Sequence, residues 1–348
     1  MYLRLSLLII LFTCFGCNSK TTWYRGNTHV HTELCGHADS HPDAVSKWYL
    51  DRDYNFLILS EHNRFIDPKT VKLPADRRKD FILVPGQEVT GRRHIHTTAM
   101  NVNELVAWKY DHNDLSKVIH SHVEGTEKAG GHAILNHPNF HKAVKADDML
   151  KVEKLQLFEL YNGHPTVLSE GDKTKKSTEA MWDIMLSEGK RIYGVSSDDA
   201  HHFKKSSPKL SNPGRGWVMV DSKGILTPDA ISDAMFKGNF YSSNGVMLKK
   251  LKRSHHYYEL EVDVEATEKE IAKNFVTGKV VQKDTPEGYL IEFIGRHGKI
   301  LKSVQGTKAS LKISHAEKYV RARVVLTHIN EDGKRQYFAW GQPVFGHH

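Results

Sequence analysis

Asn27-Thr28-His29-Val30-His31-Thr32-Glu33-Leu34-Cys35-Gly36-His37 is the stretch from which the rest of the chain is read. A strand pattern leads into His29 and His31, and the two-residue period of a strand sets both imidazoles on one face. Gly36 then lets the chain turn, and His37 follows. Three imidazoles gathered at one strand end suit a divalent transition metal, because neutral imidazole is a borderline donor matched to zinc, iron, manganese or nickel. Surface histidines near the start of a mature chain give the same local pattern, so the other strand ends must decide. Cys35 lies inside the cluster and is either a further ligand or a small buried filler.

Outward from this stretch, short apolar runs predict strands over 54–60, 81–84, 132–136, 155–160, 192–195 and 216–220. Several end in polar, metal-binding residue types: Glu61-His62-Asn63, Gln87-Glu88, His137-Pro138 and Asp198-Asp199-Ala200-His201. Helical spacing is predicted between them, over 42–50, 115–129, 177–188 and 228–237. Strands alternating with helices indicate an α/β fold with largely parallel strands, and such barrels collect their active sites at strand C-terminal ends. Past residue 250 the pattern becomes alternating with little helix. It predicts a small antiparallel β domain over 251–348, sandwich-like and without a cluster of catalytic residue types.

The chain has 348 residues, 39% of them hydrophobic and 26% charged, which is globular and long enough for one large domain and one small one. Residues 1–16 stand apart: one cation, Arg4, precedes an apolar run too short to cross a bilayer as a mature helix, which reads as a signal peptide. Gly16-Cys17 resembles a bacterial lipoprotein cleavage site, with Cys17 lipidated and residues 17–23 forming a tether. Simple secretion and a retained anchor are the alternatives. The only other cysteines are Cys14 and Cys35, so the mature fold has no disulfide to form. The net charge of +8 is carried by scattered lysines and arginines, compatible with an anionic substrate but with no nucleic-acid groove.

The strand-end candidates are His29, His31, His37, His62, Glu88, His96, His137, Asp199 and His201. Nine are too many for one four-coordinate zinc, and burying so many polar side chains without partners is costly, so two or three cations are expected. These residues occur in an order that resembles the PHP (polymerase and histidinol phosphatase) superfamily of metal-dependent hydrolases over about residues 22–248. Tyr24-Arg25-Gly26-Asn27-Thr28-His29, Asp198-Asp199-Ala200-His201-His202, Gly214-Arg215-Gly216-Trp217 and 238–245 look most like its carbaryl-hydrolase-like branch. The resemblance implies a distorted seven-stranded (β/α) barrel over 24–250. It also implies a trinuclear site in which His29, His31, Glu88 and Asp199 hold one metal. Glu88, His96 and His137 would hold a second, and His37, His62 and His201 a third. Two departures bear on this set. Glu61 stands where the family usually has Asp, and either His94 or His96 supplies the histidine after Glu88, the spacing to Met100-Asn101-Val102 favouring His96.

The expected activity is hydrolysis of a phosphate mono- or diester by hydroxide that zinc, manganese or iron makes available near neutral pH. Glu88, Asp199 and His201 are the expected catalytic centre, and Arg215 is either a bidentate phosphate contact or a surface arginine in a turn. Carboxylic or carbamate ester hydrolysis at the same site, and a non-catalytic lipid-anchored binding protein, are the competing readings. An exported chain would not meet the cytosolic substrates of histidine synthesis. If Cys17 carries the anchor, the tether reaches only about 25 Å and holds the barrel close to a membrane. The Cys17→Ser protein should then appear in the soluble fraction with unchanged activity on small soluble substrates, and retention in the membrane fraction would place the anchor elsewhere.

Overall fold

The computed structural model describes residues 23–273, 275–331 and 333–346. The signal peptide and Cys17 lie outside the described residues. Among the described residues no helix is long and apolar enough to cross a membrane.

The chain enters on β1 (Tyr24–Asn27), which pairs in parallel with β2 (Phe56–Leu57), itself parallel to β3 (Ile82–Leu83). Helix α1 (Pro42–Leu50) crosses between β1 and β2, with Pro42 at its start, where the missing N–H has no helical partner to lose. Gly26 is needed on β1: a Cβ there would stand 2.1 Å from the Phe56 ring. A hairpin follows, β4 (Gly86–Thr90) and β5 (His96–Met100), then β6 (His132–Leu135), β7 (Leu157–Asn162) and β8 (Tyr193–Ser197). These five form a second sheet in chain order, with β6, β7 and β8 parallel. Helices α2 (Leu115–Lys128), α3 (Ala146–Leu150) and α4 (Thr178–Ser187) lie between its strands. Strand β9 (Trp217–Val220) returns antiparallel to β1, and α5 (Pro228–Phe236) leads into β10 (Phe240–Ser243), antiparallel to β9.

The expected mixed α/β architecture is present, with two differences in detail. Fewer strands are parallel than the alternation implied, because β4–β5 is a hairpin and β9 and β10 run against their neighbours. The strand expected over 54–60 shrinks to two ladder residues, although Ile58, Leu59 and Ser60 remain buried beyond it. The two sheets touch through isolated parallel bridges, Val30 with Ala200 and His62 with Glu88. Both bridges lie at the strand ends where the candidate ligands sit.

The rest of the chain adds β11 (Leu248–Ser254), β12 (Tyr257–Val262), α6 (Val264–Ile271), β13 (Lys279–Val280), β14 (Gly288–Ile294), β15 (Ile300–Gln305), β16 (Lys308–Lys312), β17 (Tyr319–Asn330) and β18 (Gly333–Phe345). It is predominantly β, and α6 is a helix the alternating pattern concealed. Strands β11, β12 and β16 form a small sheet, packed through Tyr258 and Leu260 against Ile291, Phe293 and Ala322 of the larger one. No hydrogen-bonding gap opens at residue 250. β18 pairs with β10, so a single sheet runs β15-β14-β17-β18-β10-β9-β1-β2-β3.

Two buried ion-pair networks fasten the C-terminal strands to the earlier part of the chain. Arg25 on β1 donates to both carboxylate oxygens of Glu270 on α6, at 2.8 and 3.1 Å, with its guanidinium sandwiched by Tyr54 and Trp217. Arg321 on β17 is buried and forks onto Asp183 of α4 at 2.7 and 2.6 Å, while a third donor reaches Glu179 at 2.7 Å. Burial pushes the Glu179 carboxyl up, but Arg321 and Arg323 outweigh it and hold it below the usual range. Removing one member of such a network strands the other charge. Arg321→Ala should therefore lower unfolding free energy by about 3–5 kcal/mol, read by denaturant titration.

Candidate metal centre

Glu88, fully buried in the middle of β4, is the centre of the site. Four imidazoles come within 3.4 Å of its carboxylate, and a fifth, His31, lies 3.7 Å from Oε2. His29 Nε2 and His96 Nδ1 lie 3.1 and 3.2 Å from Oε1, His137 Nε2 lies 3.4 Å from Oε1, and His62 Nδ1 lies 2.6 Å from Oε2. Burial pushes this carboxyl up, but His96, His29 and His62 outweigh it and hold the group well below the ordinary carboxylate range. Asn136 Nδ2 adds a donor to Oε1 at 2.8 Å.

Asp199 faces the same centre from the segment after β8. Its Oδ1 is 3.3 Å from His29 Nε2 and 3.4 Å from His31 Nε2. Asp199 takes φ 50° and His137 φ 24°, left-handed conformations that cost roughly 1–3 kcal/mol each in a non-glycine residue. Both are locked by backbone donors: Asp199 N–H to His29 O at 2.9 Å, and His137 N–H to Glu159 Oε2 at 2.7 Å. Next door, Asp198 accepts from the N–H groups of Gly214, Arg215 and Gly216 and from the Tyr49 hydroxyl, which fixes the loop carrying Asp199 and His201.

All nine expected ligand positions come to one place, a cavity of about 320 Å³ lined by His37, His62, Glu88, His96, His137, Asp199 and His201, with His29 and His31 buried beneath. His96, not His94, faces Glu88; His94 stacks on His141 with ring centroids 4.1 Å apart. His201 lies 3.1 Å from His37, Nε2 to Nε2, and burial pushes its imidazole down to about 4. The donor atoms of His31, His62 and His201 also fall within 4.8 Å of one another, so His62 leans toward His31 as well as toward the outer pair.

Arg215 is not brought to this cluster. Its guanidinium donates to the carbonyls of Gly163 and Ser207 and to Asn212 Oδ1, and it lines a neighbouring cavity. Neither the bidentate phosphate contact nor the surface turn expected for it describes this buried, carbonyl-bound arginine.

The donor set fits divalent cations. His29 Nδ1 donates to Glu159 Oε1 at 2.8 Å, which turns its Nε2 toward Glu88, Asp199 and His31. His31 Nε2 is only 3.1 Å from it. Lone pairs and carboxylates crowded together without water repel each other unless positive charge stands among them. His31 and His137 likewise turn Nε2 toward these carboxylates.

Sequence reading missed Glu159. This buried carboxylate on β7 orients His29, accepts from Ser197 Oγ and from Asn162 Nδ2, and holds the His137 backbone. The signal was available, since a glutamate inside the apolar run Leu155-Gln156-Leu157-Phe158-Glu159-Leu160 must find buried partners. His164, which lines the cavity beyond Tyr161-Asn162-Gly163, was missed too.

No family model and no curated protein matches the chain. Among solved structures, one that it is similar to is described as a two-domain protein containing a predicted PHP-like metal-dependent phosphoesterase, from Bacteroides vulgatus ATCC 8482. The two share 14% identity over 92% of this chain and 95% of that one, with a TM-score of 0.46.

The Glu159–His29 contact makes a direct prediction. An acid that orients a metal-binding imidazole is worth about 10–100-fold in metal affinity. Glu159→Ala should weaken zinc binding by that factor in competition with a chelating dye, while the circular dichroism spectrum stays that of the parent.

Proposed function

We propose that this chain is a metal-dependent hydrolase of phosphate esters, built on a distorted PHP-type barrel and close in kind to the carbaryl-hydrolase-like branch. The observation that supports it best is one buried carboxylate, Glu88, met by four imidazoles at the floor of an open cavity. His29, His31, Glu88 and Asp199 would hold one cation. Glu88, His96 and His137 would hold a second, and His37, His62 and His201 a third. Zinc, manganese or iron bound there would activate water and neutralise the charge of a phosphoryl group during in-line displacement.

The chain's own contribution is placement. Glu159 and Asn162 fix His29 and Asp199 before any ligand arrives, so no reorganisation is left for the reacting state. Tautomers are set in the same way. Thr166 donates its backbone N–H to His164 Nδ1, so the neutral ring of this lining residue carries its proton on Nε2 and could donate a hydrogen bond to a bound phosphoryl oxygen. Phe140, the apolar member of the lining, excludes water on the His96 and His137 side. With Arg215 turned away, phosphoryl oxygens would meet the cations and the imidazoles rather than a guanidinium. An anchor at Cys17 would set this pocket to work on small organic phosphates outside the cytosol.

The test is a substrate panel on the full chain loaded in turn with zinc, manganese and iron. Phosphomonoesters or diesters should be cleaved, and Glu88→Gln should bring the rate to background while releasing metal. Cleavage of carboxylic or carbamate esters with no turnover of any phosphate ester would overturn the phosphate assignment. Stoichiometric metal with no turnover of either class would favour a binding protein.

A further inference from the structure

A sulfur donor outside these ligand sets lies beside two of their members. Cys35 ends the short 3-10 turn Glu33–Cys35, which Thr32 caps by accepting the Leu34 N–H and which Gly36 closes at φ 84°. The turn is pinned from three directions. Thr32 N–H donates to Glu61 Oε1, Glu33 N–H to Ser40 O at 2.8 Å, and Asp39 N–H to His201 O at 3.0 Å. The backbone that carries Cys35 is therefore held on both sides of it. The Cys35 sulfur falls within 4.8 Å of donor atoms of His37 and His201, and those two lie within the same distance of each other. A second group of the same tightness joins Cys35 to His31 and Glu61.

Two independent features mark this spot as wanting a cation. His37 donates Nδ1–H to Cys35 O at 3.2 Å and His201 donates Nδ1–H to Asp199 O at 2.9 Å. The two rings therefore aim their Nε2 atoms at one another, 3.1 Å apart, where one cation could be held by both. In addition, Glu61 is fully buried, and its Oε2 has no hydrogen-bond partner. A buried carboxylate oxygen left without a partner beside this group is an acceptor that a cation would satisfy.

We propose that Cys35 is a thiolate ligand, joining His37 and His201 around the outermost cation of the pocket. The inference rests on the metal-centre reading above and adds a sulfur to it. On binding, the S–H bond breaks, its proton passes to solvent and the sulfur–metal bond forms, with no change in oxidation state. Sulfur shifts the preference of this one position toward zinc or ferrous iron and away from manganese or magnesium, while the nitrogen and oxygen positions keep theirs. It also gives the site a group that oxidants reach only when the position is empty, since a metal-bound sulfur has its lone pair engaged.

Cobalt(II) added to the full-length protein tests this without reference to activity. Thiolate ligation gives cobalt an intense sulfur-to-metal charge-transfer absorption in the near ultraviolet, which nitrogen and oxygen ligands do not produce. Wild-type protein should show it, and Cys14→Ser/Cys17→Ser should retain it. Cys35→Ser and Cys35→Ala should both lose it while keeping the weaker visible bands of the remaining cobalt. Modification of Cys35 by a disulfide reagent should slow at least tenfold when zinc is bound. Cobalt bound with no charge-transfer band, or a band that survives both Cys35 substitutions, overturns the thiolate ligand and leaves the metal centre standing. Failure to bind cobalt at all overturns both.

Discussion

Glu88 is a carboxylate with no access to water, and much of the local structure answers the charge it brings. An isolated buried anion is too costly to persist, so positive charge or donors must be delivered to it. The chain delivers them from four places far apart in sequence: the end of β1, the segment after β2, the start of β5 and the segment after β6. A carboxylate on β4 within reach of all four requires that these strand ends converge. The short bridges between His62 and Glu88 and between Val30 and Ala200 are where the two sheets meet that requirement.

The same constraint explains why backbone strain collects at this spot. His137 and Asp199 adopt left-handed conformations because a relaxed backbone would aim their side chains elsewhere. Glu159 is the counterweight. Through one carboxylate it orients the His29 ring, accepts the strained His137 N–H and is tied through Asn162 to Asp199. Buried acids at two depths thus serve different ends, the inner one orienting side chains and the outer one facing the cavity.

What the sequence made legible was local. Polar residues at the ends of apolar runs stood out because the runs were short and the residue types unusual, and the nine candidates do converge. Helices α1, α2, α4 and α5 followed from periodicity and caps to within about two residues. What escaped notice depended on partners more than a hundred residues away. Glu159 meets His29 across 130 positions and Arg321 meets Asp183 across 138, and neither separation leaves a periodic trace. Arg215 was misread for a related reason: its Gly-flanked loop gave no hint that Gly163 and Ser207 would claim its guanidinium. Helix α6 was hidden because residues 257–264 alternate right up to its Asp263 cap.

The pairing of β10 with β18 has a consequence for how the molecule is made. Candidate ligands from His29 to His201 leave the ribosome well before β18, and the sheet that carries β1 stays open at β10 until residue 341 is available to pair with Tyr241. The metal-rich pocket therefore exists for a time as a half-built object, its β10 edge exposed to any strand that passes. A ladder joining positions one hundred residues apart is slow to close, because the loop entropy must be met before the contacts return anything. The order of events then runs opposite to the order of chemistry: the residues that would do the work are made first, and the strand that secures their scaffold is made after them.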